Sequence, residues 1–345
     1  FARNLDDYLR QRGAEVRFDL RDPDLDVILL TEPRRFSASS AFNDVDILRY
    51  LTHVNHLAVV VHRVNECDER KNTRMINRRL ALANQCADHT VFVSRWLRSL
   101  LVGHSHHFVA PSVIQNGADR RIFHSGGATA WDSLEKIKIV THHWSANLMK
   151  GFDVYKRLDE MLGSAPFRDV FEFTYVGRVP SGFSFRHARY LQPLSGDTLA
   201  DALRDHHVYL TASQNEPAGM HPIEGALCGL PILYRRSGSL PEYCEGFGVE
   251  FDEGTFDTRL LEMRERYWEL KTRMPKYQYD AEQMCHAYES LFRNLLVHRD
   301  EVLRRRRWTR ASTWKLRMSA SAYDRCHRWL LAVGSRYSRA SDRPS

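Results

Sequence analysis

With 345 residues, 43% of them hydrophobic and 27% charged, the chain has the balance of a folded globular protein and the length for two cores rather than one. That excludes a disordered or fibrous chain, and no apolar run approaches the roughly 20 residues that span a bilayer. The formal net charge is +7, but from Arg299 onward 13 Lys/Arg stand against 4 Asp/Glu, so this stretch carries +9 and leaves −2 for the rest.

The opening residues place Leu5 and Leu9 one helical turn apart, and Gly13 stops that helix. A strand follows at 26–30, a second at 57–61 that ends in polar His62-Arg63-Val64-Asn65, and a third at 90–94 just before a helix that starts near Arg95. Because the chain begins at Phe1 inside a helix-like stretch, we read an α/β unit entered halfway, with its N-terminus missing. Gly117 and the Gly126-Gly127 pair flank Phe123, which places an interdomain linker near 125–132. Beyond it, strands at 137–140, 171–176, 208–211 and 231–234 alternate with helices at 153–162, 198–204 and 221–228. This alternation predicts a parallel sheet with helices on both faces, whose ligands sit where strands give way to loops.

Six cysteines are scattered without a C-x-x-C pair, which argues against both a zinc site and a dense disulfide framework and fits a reducing, cytoplasmic compartment. His104, His106 and His107 have a metal-like composition, but no matching ligand set surrounds them, and a polar loop is the plainer reading. No D-x-D lies at a suitable strand end, so no essential metal and no other cofactor is expected.

The densest chemical signal runs from Glu216 to Pro231 between two predicted strands. Pro222 is tolerated only in a first turn and Gly229 is a good stop, so the spacing predicts a helix over 219–228. The free amides at Gly219 and Met220, at the positive end of its dipole, suit a phosphate. Glu216 on the loop and Glu224 inside the helix face one ligand from different heights; taken alone, the pair reads equally well as a helix cap and a solvated residue.

In this segment the chain resembles the retaining glycosyltransferases of family 4, which have two Rossmann-like domains facing a cleft (the GT-B fold) and an E-x7-E signature. Asn116-Gly117-Ala118-Asp119 with Phe123, Lys150-Gly151, and Gly238-Ser239-Leu240-Pro241-Glu242 follow in the family's order. The resemblance covers the chain to about Leu296. It implies an N-terminal acceptor-side domain at 1–128 lacking its first strand and Gly-rich loop and a nucleotide-sugar domain at 129–298, while the charge distribution marks a basic tail at 299–345. It further implies that Glu224 holds the ribose hydroxyls of a nucleoside-diphosphate sugar, that Glu216 contacts the donor sugar and that Lys150 pairs with the diphosphate. A bare Lys-Gly dipeptide is otherwise an ordinary surface feature. His62, at the end of a strand, would approach the sugar, or be a satisfied structural histidine. His142 and His143 are read as strand-end residues close to Lys150.

The sequence departs from the family pattern at Ser145, where an arginine is common, and at Ala218, where a bulky aromatic is usual. Arg178 or the helix amides would supply the missing positive charge. The expected activity is transfer of a sugar to a glycan or lipid-linked acceptor. The alternatives are a sugar-nucleotide epimerase of the same fold and a binding protein that keeps the nucleotide pocket without catalysis. In the tail, the basic run 304–307 and the residues Trp308, Trp314 and Trp329 suit an anionic membrane surface, with nucleic acid as the second reading.

Overall fold

A computed structural model describes residues 1–37, 39–103 and 108–306, together with 308, 318, 320–322 and 325. The chain divides into two compact units. One is built on a four-stranded sheet and comprises Leu9–Val93, Leu97–Ile114 and Ala287–Ser345; the other, built on six strands, comprises Phe1–Tyr8, Ser94–Trp96 and Gln115–His286.

The four-stranded sheet takes its strands in chain order: β1 (Val27–Leu30), β2 (Val59–Val64), β3 (His89–Phe92) and β4 (Pro111–Val113), all parallel. Every residue of β2 is buried, as a central parallel strand covered on both faces requires. The expected end of this strand at Val61 is therefore too early, and His62 and Arg63 lie inside it. The chain tolerates a histidine there because Asn84, 22 residues further on, meets His62 Nδ1 at 3.1 Å and also donates to Thr90 Oγ1. The flanking helices Asp44–His53 and Ile76–Ala83 are tied by a buried ion pair, with Arg79 donating to both carboxylate oxygens of Asp44 and to the Pro33 carbonyl.

The stretch expected to form a free basic tail begins as part of this unit. Arg306 donates to both oxygens of the buried Asp88 and to the carbonyls of His56 and Ala58. Asp88 in turn accepts from the Val60 amide at 2.8 Å, so the guanidinium fastens the chain to the start of β2. Trp308 packs against the core of the same unit, and Arg299 and Arg305 pair with Asp26 and Glu301. Arg306 and Trp308 are thus structural residues. Most of the remaining tail features assigned to a membrane or to nucleic acid, like the histidines at 104, 106 and 107, lie outside the described residues.

The six-stranded sheet comprises β5 (Ile137–His143), β6 (Phe171–Gly177), β7 (Arg189–Leu191), β8 (Val208–Thr211), β9 (Ile232–Arg235) and β10 (Gly248–Phe251). Its order is β10-β9-β8-β5-β6-β7, and every pairing is parallel. Counted within the unit this is 6-5-4-1-2-3, the Rossmann order, with the direction of winding reversing between its first strand, β5, and its fourth, β8. Both faces are filled. Ile137, Ile139, Phe173 and Leu210 enter one apolar cluster, while Val140, Val176, Tyr209 and Ile232 enter the other.

The changeover between the units falls between Ile114 and Gln115, ahead of the expected linker at 125–132 and the expected domain limit at 128. Phe123 and Trp131 are the reason, since each is buried in an apolar cluster of the six-stranded unit. The chain returns to the four-stranded unit at Ala287, within the helix Ala281–Val297, rather than continuing to residue 298 in the second unit. Among the described residues no helix is long and apolar enough to cross a membrane. The five described cysteines are buried and free.

Candidate functional site

The carboxyl ends of β5 and β8 flank the reversal point of the six-stranded sheet, where open α/β sheets place their ligands. After β5 the chain makes a single 3-10 turn, Leu148–Lys150, and enters the helix Phe152–Met161 through Gly151. Gly151 has φ +95°, and a Cβ there would lie 2.4 Å from Ala212 Cβ and 2.5 Å from the Ala212 carbonyl oxygen. Only glycine admits both the left-handed backbone and that approach to the end of β8. The Gln214 amide then donates to the Met149 carbonyl at 2.8 Å, which fixes the turn against the loop that follows β8.

This close approach brings Lys150 to Glu216. Lys150 Nζ donates to Glu216 Oε2 at 2.8 Å, with the two side chains only 11% and 8% exposed. Lys150 is therefore not the surface lysine that a Lys-Gly dipeptide suggests. Glu216 is held from behind by the turn that the sequence marks as Gly238-Ser239. Its carbonyl accepts from the Ser239 amide and hydroxyl at 2.9 and 2.8 Å, and a Cβ on Gly238 would sit 2.4 Å from its amide nitrogen. Gly219 serves the same loop, since a Cβ there would meet the His221 ring at 2.5 Å and Glu216 Cγ at 3.0 Å.

Gly219 caps the helix Met220–Leu227 with extended backbone, close to the expected 219–228, and Gly229 terminates it with φ +85°. Glu224 lies on its second turn and is half-buried. Its Oε2 meets His142 Nε2 at 2.7 Å; among the described residues its Oε1 has no hydrogen-bond partner. His142 comes from β5, where it was expected only as a strand-end residue. On its other side Nδ1 lies 3.0 Å from the Tyr209 hydroxyl of β8, which also accepts from the His142 amide at 3.3 Å. Burial raises the Tyr209 pKa well above its ordinary value, so the phenol stays protonated. Next to this pair, His143 meets the Tyr155 hydroxyl at 2.7 Å and stacks edge-on with His221 at 4.6 Å between ring centroids. His221 bonds to Thr211 Oγ1 at 2.8 Å. Burial, and then the neighbouring His221, drive the His143 pKa well below its ordinary value and keep the ring neutral.

The arrangement is a carboxylate-rich edge in which each glutamate has a nitrogen partner. Lys150, Glu216, Gly219, Met220 and Glu224, expected to act together, are brought to one edge of one sheet. Arg178 follows β6 at the same carboxyl edge; its amide donates to the His143 carbonyl at 3.2 Å. Its exposed guanidinium has no partner among the described residues. Ser145, where an arginine is common, accepts from the Asn147 amide at 3.2 Å and so shapes the approach to Lys150. Asn116 reaches the Ala218 carbonyl with its side chain at 3.0 Å and thus supports the loop that carries Glu216. His62 belongs to the other unit, where it is fully buried; burial, then the nearby Arg79 charge, lower its pKa to about 3. The side chains missed by pattern reading are His142, Tyr209 and His221. Consecutive histidines at a ligand-edge strand end were the available signal for the first.

No family model and no curated protein sequence matches the chain. Solved structures do. The pneumococcal O-GlcNAc transferase GtfA, in complex with UDP and GlcNAc, superposes with a TM-score of 0.57 at 12% identity, over 78% of this chain and 57% of its own. Sucrose-phosphate synthase from Thermosynechococcus elongatus gives 0.59 at 14%, over 86% and 92%. Anabaena HepE in complex with UDP and glucose gives 0.57 at 13%, over 78% of each chain. The chain has the GT-B fold. It spans a little over half of the GtfA chain but nearly all of the sucrose-phosphate synthase chain. At these identities the likeness concerns the fold.

Proposed function

We propose that this GT-B protein is a retaining glycosyltransferase, moving a sugar from a nucleoside-diphosphate sugar to a glycan or lipid-linked acceptor. The observation that carries the reading is the pairing of Lys150 with Glu216 and of His142 with Glu224 at the reversal point of the Rossmann sheet. GtfA and HepE, solved with UDP, support a nucleotide-sugar donor.

In this reading Glu224 accepts from the ribose hydroxyls and Glu216 from a hydroxyl of the donor sugar. Lys150 sits beside Glu216 and offers its ammonium to the diphosphate, with the amides of Gly219 and Met220 at the helix N-terminus and the exposed Arg178 adding positive potential. Breaking the anomeric bond leaves negative charge on the departing diphosphate, and preorganised donors aimed at that charge lower the barrier. The diphosphate oxygen takes the acceptor's proton as the new glycosidic bond forms, so neither glutamate serves as the acid or nucleophile of a glycosidase.

Glu224→Ala is expected to weaken binding of the free nucleoside diphosphate by about 10- to 100-fold, as for loss of a hydrogen bond to a charged group. Glu216→Ala should weaken it less, because a sugar contact acts nearer the reacting centre. Calorimetric titration of both variants checks this. Wild-type affinity in both rules out the assignment.

A further inference from the structure

We infer that His142 is a positioning residue: with Tyr209 behind it, it orients the Glu224 carboxylate for recognition of the ribose of the nucleotide. The inference rests on the assignment of Glu224 proposed above. Its own ground is a continuous chain of hydrogen bonds through two neighbouring strands. The His142 amide donates to the Tyr209 oxygen at 3.3 Å, that hydroxyl lies 3.0 Å from His142 Nδ1, and His142 Nε2 lies 2.7 Å from Glu224 Oε2. The ionised Glu224 carboxylate can only accept, so in the neutral ring the proton faces it and the Tyr209 hydroxyl donates to Nδ1. Nδ1 then accepts, the ring proton sits on Nε2, and the carboxylate receives it.

The chain is rigid at its base and open at its tip. Tyr209 and His142 stand on β8 and β5, which pair directly through Val140 and Tyr209, and both side chains are buried. The Glu224 side chain is 18% exposed against 6% for His142, so exposure rises toward the Glu224 end of the chain of bonds. Gly225, the residue after Glu224, makes room for the relay, because a Cβ there would lie 2.3 Å from the Tyr209 ring. A glutamate that must be ordered when its ligand arrives loses rotamer freedom at that moment; one already held by an imidazole does not. With Oε2 engaged by His142, Oε1 and the outward lone pairs remain for vicinal hydroxyls.

The test compares UDP, ADP and GDP with their 2′,3′-dideoxy counterparts by calorimetry on the full chain. For the nucleotide that binds, wild type should prefer the ribo form. His142→Phe, which keeps a flat ring but removes the donor, should cut that preference about 10-fold by weakening the ribo form alone. His142→Gln, whose amide replaces Nε2–H, should restore most of it, and Tyr209→Phe should fall between. A preference that survives His142→Phe overturns the inference, as does an equal loss for both ligand forms or a failure of His142→Gln to rescue. If instead Glu224→Ala keeps the ribo preference, the assignment of Glu224 itself is wrong. If no nucleotide binds the wild type, the proposed function and this inference fall together.

Discussion

Lys150→Met is expected to lower sugar-transfer turnover by about 10- to 1,000-fold, the range seen when one preorganised charge is removed from a developing anion. The same substitution should also cost stability, because it takes a cation away from the buried Glu216 carboxylate. The two side chains are 11% and 8% exposed and meet at 2.8 Å, and removing one partner of a buried ion pair costs about 3 kcal/mol. The double variant Lys150→Met with Glu216→Gln should regain most of that stability and none of the activity. Urea unfolding alongside a turnover assay separates the two effects. Normal melting and normal turnover in Lys150→Met would place the diphosphate contact elsewhere.

Acidification should unfold the four-stranded unit partly through His62. The ring is fully buried and neutral, and its pKa is lowered from 6.5 to about 3, chiefly by burial. In the unfolded chain it regains an ordinary pKa, so between pH 6.5 and 3 the unfolded state binds the extra proton. Stability from the neutral ring is therefore complete above about pH 6.5 and is lost as pH falls, by about 1.4 kcal/mol per pH unit. His62→Gln, which can still accept from Asn84, should remove this dependence. Between pH 7 and 5 the wild type should lose about 2 kcal/mol more than the variant in urea unfolding. Parallel losses in the two proteins would show that His62 is not held neutral.

Local pattern carried β6, β8 and the helix of Glu224, whereas β5, expected to end at Val140, runs on to His143. The apolar runs of β6 and β8 between turn residues, and Pro222 and Gly229 around one helix, located those elements to within a residue or two. The strands at Pro111–Val113 and Arg189–Leu191 were not legible, since three residues with none buried carry no periodic signal. What completes the site is long-range. Lys150 and Glu216 are 66 positions apart, His142 and Glu224 are 82 apart, and Arg306 reaches Asp88 across 218. The sheet order, which sets β5 beside β8, turns the first two of those separations into contacts. The strand end at His62 was misplaced for the same reason, as its burial depends on Asn84 in a later segment.

The most direct test of the proposed transfer is to incubate the full chain with a panel of nucleotide sugars, with and without glycan and lipid-linked acceptors, while following both nucleotide release and the fate of the sugar. The account predicts that one donor releases its nucleoside diphosphate, that release rises sharply with an acceptor, and that the transferred sugar keeps its anomeric configuration. Isomerisation of a sugar still joined to its nucleotide, or tight binding with no release in the presence of any acceptor, would contradict it.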